Sequence, residues 1–365
     1  MANIGPRDLS SLVMMTGWDA DVLANYKLQD GTTYAEVVSR INAALAALNA
    51  EFSGDWMAEL FSYQDNPEVE YRVGASNGFE THTEYGRPEA QRADTEGHML
   101  PLLAYDRGLG WTWDYLRDAR MVQIEADIAD AIKDARDKRR VNILTRLLDR
   151  DDETGSAKHL GSGYSPGFAT DEGSTSVDFV PPTFEGTSFD NTHEHYVPIE
   201  GGVFTNAVFT DAYDELREHG HEPPFDFLIG PSDRDTVEAL TNYTPTTNPL
   251  IIYGATQDRA SVSVQDYIGV INHFRVREVR GMPQYYGFGY KSYGRLSQRN
   301  PLRLRLHKGS SALQVIAMTD PRAGNATTPI QYLMLFMEFG VGVADRTNGT
   351  PRHVNNASWV DGTPT

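Results

Sequence analysis

The sequence predicts an α+β fold, and three observations carry that reading. Neither glycine nor proline occurs between Gly110 and Gly155, in a chain rich in both, and strong helix formers fill the interval. Asn77-Gly78 separates two alternating runs, which is the strongest short-range signal for a β-hairpin. From Phe225 onward, short apolar runs alternate with turn residues in the manner of successive strands.

Composition sets the outer bounds. A chain of 365 residues can bury a sizeable core in two or three lobes, and 40% hydrophobic with 10% aromatic residues marks it as folded. There is no cysteine, which excludes disulfides, thiolate metal sites and cysteine nucleophiles. The segment from Met1 to Asp8 lacks a charged-then-apolar signal pattern, and no apolar run approaches about 18 residues. Neither secretion nor membrane insertion is expected.

In chain order, residues 1–30 show no period and read as an extended arm. Thr33-Tyr-Ala-Glu36 has capping-box spacing, and Val37, Val38, Ile41, Ala44, Leu45 and Leu48 form an amphipathic helical stripe to about Ala50. Val69, Tyr71 and Val73 then alternate with polar residues, as do Phe79, Thr81 and Thr83 beyond the Asn77-Gly78 turn. Gly86-Arg-Pro88 breaks this ribbon, and Met99–Tyr105 returns as another strand. So few large apolar residues give the ribbon little to bury itself against, so it is expected to lie on something else, such as a second copy.

The long helix is placed at 112–149. Trp113, Leu116, Ile124, Ile128, Ala131 and Ala135 form its apolar stripe, opposite Asp118, Glu125, Asp130, Lys133, Asp137 and Arg140. Thr112 can cap it and Asp114 complements its dipole. Such a rod would be on the order of 55 Å long and needs partners along its length. It lacks the strict heptad of a coiled coil. The acidic, Gly/Ser/Thr-rich stretch 151–190 reads as loop with short strands. Thr205–His219 reads as a helix stopped by Gly220, Phe225–Ile229 as a buried strand, and Ser232 as the cap of a short helix to Leu240. Strand-like runs follow at Leu250–Tyr253, Tyr267–Val279, Gln284–Tyr290, Leu302–Leu306, Leu313–Met318 and Tyr332–Val343. Asn348-Gly349 precedes Arg352–Asn355 as a further hairpin candidate.

Charge is unevenly spread. The net −19 argues against a surface that grips nucleic acid throughout. Ten acidic residues face only Lys158 across 151–200. Between 275 and 308, Arg275, Arg277, Arg280, Lys291, Arg295, Arg299, Arg303, Arg305 and Lys308 face only Glu278. Aromatic residues interleave this basic stretch, as in single-strand binders. Ion pairing with the acidic segment of a second copy fits the overall negative charge better, and arginine favours such ordered pairs. Candidate contact residues between copies are therefore Arg275, Arg277, Arg280, Arg299, Arg303 and Arg305, with Asn77, Gly78, Tyr85 and Arg87 at the ribbon tip.

Catalytic motifs are sparse. In His193-Glu194-His195 two histidines would share one face of a strand, a spacing that can hold a transition metal with help from elsewhere. Val197 occupies the position that a His-Glu-x-x-His motif needs, and a surface or intersubunit structural role without metal is the favoured reading. A metal-dependent hydrolase centred on this pair is the alternative. Asp149, Asp151 and Glu153 begin like a calcium loop, but Thr154 and Leu160 stand where glycine and glutamate are required. Gly161-Ser-Gly163 and Gly340-Val-Gly342 lack dinucleotide-site spacing, and neither a phosphate loop nor a nucleophile elbow occurs. No enzyme activity and no cofactor are expected.

Taken in order, these parts resemble a tailed-phage major capsid protein of the Hong Kong 97 type. The stretches that carry the resemblance are His98-Met-Leu-Pro-Leu-Leu-Ala-Tyr-Asp106 and Leu109-Gly-Trp-Thr-Trp113, leading into the long helix. They continue with His193-Glu-His-Tyr196, Leu216-Arg-Glu-His-Gly220 and Phe339-Gly-Val-Gly-Val-Ala-Asp-Arg346. The resemblance implies an N-terminal arm at 1–55, an extended loop at 56–108, and a peripheral domain at 109–195 with a spine helix at 112–149. It further implies an axial domain at 196–328 and a return to the peripheral domain at 329–365. It implies a shell subunit forming hexamers and pentamers around double-stranded DNA that is enclosed rather than specifically bound. A scaffolding protein or an N-terminal preface already removed, a portal and a decoration protein are the implied partners, and the virion capsid, assembled in the host cytoplasm, is the implied location. One departure is legible. Some relatives weld their shells through a lysine of the extended loop, whereas here no lysine lies between Lys27 and Lys133. Non-covalent shells are expected. An encapsulin-like compartment shares the fold, and a tail or decoration protein would be shorter and lack the spine.

Overall fold

Reciprocal capping opens the first described helix. The backbone N–H of Thr33 donates to Glu36 Oε2 at 2.8 Å, and that of Glu36 to Thr33 Oγ1 at 3.4 Å. The computed structural model describes residues 27–64, 68–73, 94–150, 153–157, 161–169, 180–190, 192–245, 267–310, 312–319 and 330–365. Most of the expected arm, the Asn77-Gly78 turn with Tyr85 and Arg87, and the run Leu250–Tyr253 lie outside these residues. The elements in order are α1 (Tyr34–Gly54), β1 (Phe61–Gln64), β2 (Glu68–Val73), β3 (Asp94–Met99), β4 (Leu103–Thr112), α2 (Trp113–Asp118), α3 (Met121–Leu148), β5 (Glu153–Ala157), β6 (Gly161–Ser165) and β7 (Val197–Pro198). There follow α4 (Asn206–Glu218), β8 (Phe225–Ile229), α5 (Arg234–Glu238), β9 (Thr244–Pro245), β10 (Tyr267–Ile271), β11 (Phe274–Glu278), β12 (Tyr286–Tyr290), β13 (Leu302–Arg305), β14 (Val315–Thr319), β15 (Ile330–Val343) and β16 (Thr350–His353). Among the described residues no helix is long and apolar enough to cross a membrane. The chain divides into two compact units, one of residues 1–54, 103–139 and 310–339, the other of residues 55–102, 140–309 and 340–365.

The first unit is built on two helices beside a sheet. α1 runs on past the expected end and buries Val37, Ile41, Leu45, Leu48 and Phe52 at helical spacing. Arg40 pairs with Glu125 at 2.6 Å, and Arg136 forks onto Glu51, with its Nε at 2.8 and 3.1 Å from the two carboxylate oxygens. Both pairs join residues 85 apart, so α1 and α3 lie parallel. These exposed pairs fix register more than stability, at about 0–1 kcal/mol each. β4 pairs with β15 from Leu103↔Phe339 to Thr112↔Ile330, and β14 flanks β15 on the other side. Alternate β4 side chains meet α3 at descending positions: Tyr105 under Lys138 at 4.6 Å, Arg107 in an ion pair with Asp134, and Trp111 donating to Asp127 at 2.9 Å. Two strand residues and one helical turn cover similar lengths, roughly 6.6 and 5.4 Å, which lets the two patterns mesh.

The expected single helix at 112–149 is broken. Thr112 does cap a helix, accepting from the Tyr115 N–H at 3.1 Å, but α2 ends at Asp118 and Ala119 is extended. A distant segment causes the break. Asp30 accepts the Met121 N–H at 2.7 Å and caps α3, while Gln29 donates its N–H to the Ala119 carbonyl at 3.0 Å. The Met121 N–H is the main cause that holds the Asp30 carboxyl below its usual range. α3 alone, at 28 residues, is about 42 Å long.

The second unit is organised around β8, all five of whose residues are buried. Its seven-stranded mixed sheet has the order β7-β16-β12-β8-β11-β10-β9. One face of β8 presents Phe225, Phe227 and Ile229 to Val208, Phe209, Ala212 and Leu216 of α4, with the Phe209 and Phe227 rings 4.7 Å apart. As expected, Thr205 precedes this helix and Gly220, at φ +80°, follows it. The other face carries Asp226, which is fully buried. β15 enters this unit at Gly340, where residues 340–343 pair with β13, and β13 pairs in parallel with β1. A separate sheet has the order β2-β3-β6-β5, joined between β3 and β6, among the described residues, at Met99↔Tyr164.

β2 pairs with β3, Val73 opposite Asp94, and the run Phe79–Thr83 lies outside the described residues. Elsewhere the structure departs from the sequence expectations. The single strand expected at Tyr267–Val279 is a hairpin, because Asn272 and His273 both adopt positive φ (43° and 72°) in a two-residue turn. Ser232 lies within a short 3-10 turn, Pro231–Asp233, and caps nothing. β16 does not fold back on the strand before Asn348-Gly349 but pairs with β12 and β7. The Asn348 side chain is committed elsewhere, bonding the backbone of Lys291 and Arg299 at 2.7–2.9 Å.

Candidate functional site

Three imidazoles meet where the segment before β7 passes the C-terminal end of α4. His193 and His195 come from an irregular stretch rather than the expected strand, and His219 is the residue that ends α4. Their Nε2 atoms form a triangle: His193 to His195 at 3.1 Å, His193 to His219 at 2.9 Å, and His195 to His219 at 2.9 Å. His195 is fully buried within its own chain, which corrects the expectation of a surface position for this residue, while His193 stays partly exposed. Its Nδ1 lies 2.7 Å from the Gly349 carbonyl, which can only accept. The proton therefore sits on Nδ1, and Nε2 keeps its lone pair. Phe189 roofs the cluster, its ring 4.8 Å from His193 and 4.5 Å from His219. Burial lowers all three ring pKa values, that of His219 to about 3, so the rings are neutral at pH 7.

Two carboxylates flank this triangle. Glu218 Oε1 lies 3.4 Å from His193 Nε2 and 3.7 Å from His219 Nε2. Glu215 pairs with the buried Arg352, which also donates to the His195 carbonyl at 3.2 Å. Burial pushes the Glu215 carboxyl up to about 7 against the pull of Arg352. The pair His193/His195 was legible from its spacing. His219, 24 residues beyond His195, was not, because only the packing of α4 on the sheet brings it near.

The arginines singled out for contacts between copies have largely other duties. Arg275 donates to Asp226 at 2.6 Å, and Arg277, only 1% exposed, lies over Tyr267 at 4.0 Å and Trp56 at 5.0 Å. Arg303 bonds Ser62 and Gln64 at 3.0 and 3.1 Å, and Arg305 donates to the Leu100 carbonyl. Arg280 is exposed, as is Arg299, which stacks over Tyr293 at 4.1 Å.

His98 gives the second unit a pH dependence. Its Nε2–H donates to the Val343 carbonyl at 3.1 Å, and burial is the main cause that holds its pKa down to about 3. Below the ordinary value of about 6.5 the unfolded chain takes up a proton that the folded chain refuses. The stability this group contributes is therefore complete above pH 6.5 and falls as pH drops toward 3, by at most about 1.4 kcal/mol per unit. His221, also lowered by burial, acts in the same direction. The melting temperature is expected to fall between pH 7 and 5, and His98→Gln to flatten that slope.

No protein-family model matches the sequence, and no curated protein does. Solved structures do match. One from Mycobacterium phage Patience superposes with a TM-score of 0.63 at 21% identity, covering 92% of each chain. The capsid of a native GTA particle matches at TM-score 0.46 and 15% identity, over 82% of this chain and 90% of that one. An encapsulin complex from Synechococcus elongatus matches at 0.44 and 10%, over 84% and 89%. The chain has the same mixed α+β fold as the Mycobacterium phage Patience structure.

Proposed function

We propose that the chain is a major capsid protein, which builds the icosahedral shell of a tailed phage from hexamers and pentamers around double-stranded DNA. The observation that carries this reading is the likeness in fold to a phage structure across 92% of both chains. In this reading the β8-centred sheet with α4 belongs to the axial domain, α3 is the spine of the peripheral domain, and residues 56–108 form the extended loop. The ribbon of β2 and β3 supports it physically. Among the described residues, β2 has a strand partner on one side only, and β3 meets β6 at a single pair. A two-stranded ribbon is marginal alone in water, and a neighbouring subunit beneath it would supply the missing cover. Its role is structural, in the virion, with the scaffold, portal and decoration partners of the resemblance. The net charge of −19 suits a wall that contains DNA without adhering to it.

Purified particles test both the role and the absence of a weld. Closed shells holding double-stranded DNA are expected, and after heating in denaturant each should run as a single monomer band. Shells filled with protein instead would favour an encapsulin-like compartment. A ladder of multiples resistant to denaturant would contradict the non-covalent shell inferred from the lysine-free interval 28–132.

A further inference from the structure

The triangle of imidazole nitrogens is a poor hydrogen-bonding arrangement. A neutral imidazole nitrogen either donates through its one proton or accepts through its one lone pair. In a triangle of such atoms, at least one pair must be alike, two donors or two acceptors facing each other. The edges here are all 2.9–3.1 Å, so that unfavourable pair is held at close contact. The surrounding fold fixes it there. The Gly349 carbonyl holds His195, Phe189 covers His193 and His219, and α4 delivers His219.

A cation that accepts three lone pairs at once removes this conflict. We propose that His193, His195 and His219 hold a divalent transition-metal ion of the zinc class, which clamps the segment before β7 onto the C-terminal end of α4. With edges of this length, a point about 2.0–2.1 Å from all three nitrogens, the usual zinc–imidazole distance, lies roughly 1.1 Å out of their plane. Nitrogen donors select zinc, nickel, cobalt or copper over magnesium and calcium, which take oxygen. The Gly349 carbonyl serves as the outer partner that fixes the tautomer and ring orientation of His195. Glu218, with Oε1 3.4 Å from one ring nitrogen and 3.7 Å from another, supplies negative charge beside the ion. Arg352, the nearby cation, is already paired with Glu215.

The test uses the full chain purified without a polyhistidine tag, stripped with EDTA and titrated with ZnCl2 or CoCl2. About one ion per chain is expected, with a rise of several degrees in melting temperature and, for cobalt, a visible absorption band from the imidazole-bound ion. MgCl2 should do neither. His193→Ala, at the partly exposed edge of the cluster, should abolish both responses. Zinc or cobalt producing no shift in the wild type, or an equal shift in His193→Ala, would overturn the site. Should that variant fail to fold, X-ray absorption of zinc bound to the wild type decides instead. Three imidazole scatterers at about 2.0–2.1 Å support the site, and fewer contradict it.

Discussion

Replacing Asp226 by alanine is expected to lower the unfolding free energy by about 3–5 kcal/mol. Asp226 is fully buried in the central strand β8 and accepts from the Tyr267 hydroxyl at 2.7 Å and from Arg275 at 2.6 Å. Arg277 lies buried over the Tyr267 ring that this carboxylate anchors. Removing the carboxylate leaves two guanidinium groups in or near the core without their counter-charge, and stranding a buried charge costs far more than a surface pair contributes. Asp226→Asn should lose less, since its amide oxygen still accepts from Tyr267. Urea unfolding of both variants reads the difference. A change below about 0.5 kcal/mol for Asp226→Ala would return Arg275 and Arg277 to the surface role that their sequence suggested.

Gly340→Ala should be at least as damaging. A Cβ built at Gly340 would overlap the Pro101 carbonyl oxygen outright, and both groups are backbone, so neither can rotate away. Overpacking a well-packed interior costs about 1–3 kcal/mol when side chains can shift, and a backbone clash exceeds that range. The expected readout is loss of soluble protein, or a collapse of the urea midpoint where some survives. Gly54→Ala is the control. Gly54 lies at the end of α1, where an added Cβ would meet nothing within 4 Å, and its substitution should change stability little. Equal behaviour of the two variants would mean that the close approach at Gly340 does not exist.

The same residue shows what the sequence could and could not disclose. Gly340-Val-Gly342 was legible as a failed dinucleotide motif, but its purpose, close approach of two backbones, depends on a partner 239 positions away. Local chemistry was read well. The capping box at Thr33, the α4 segment between Thr205 and Gly220, and the buried strand at Phe225–Ile229 each depend on neighbours in sequence. Readings failed where long-range contacts override local preference. Nothing between Gly110 and Gly155 marks a helix break, because Gln29 and Asp30 impose it. The pairing of β2 with Asp94–Met99 likewise joins segments too far apart for local turn chemistry to mark. The basic stretch looked like a surface, because its acidic and aromatic partners at Asp226, Trp56 and Tyr267 are scattered over more than 200 residues.

The proposed role requires that this molecule be finished only by copies of itself. Electron microscopy of the full chain, concentrated after purification and co-expressed with a scaffolding protein, tests it most directly. Closed icosahedral shells, with hexameric and pentameric clusters in their walls, are the expected result. A population of single, self-sufficient monomers under the same conditions would contradict it.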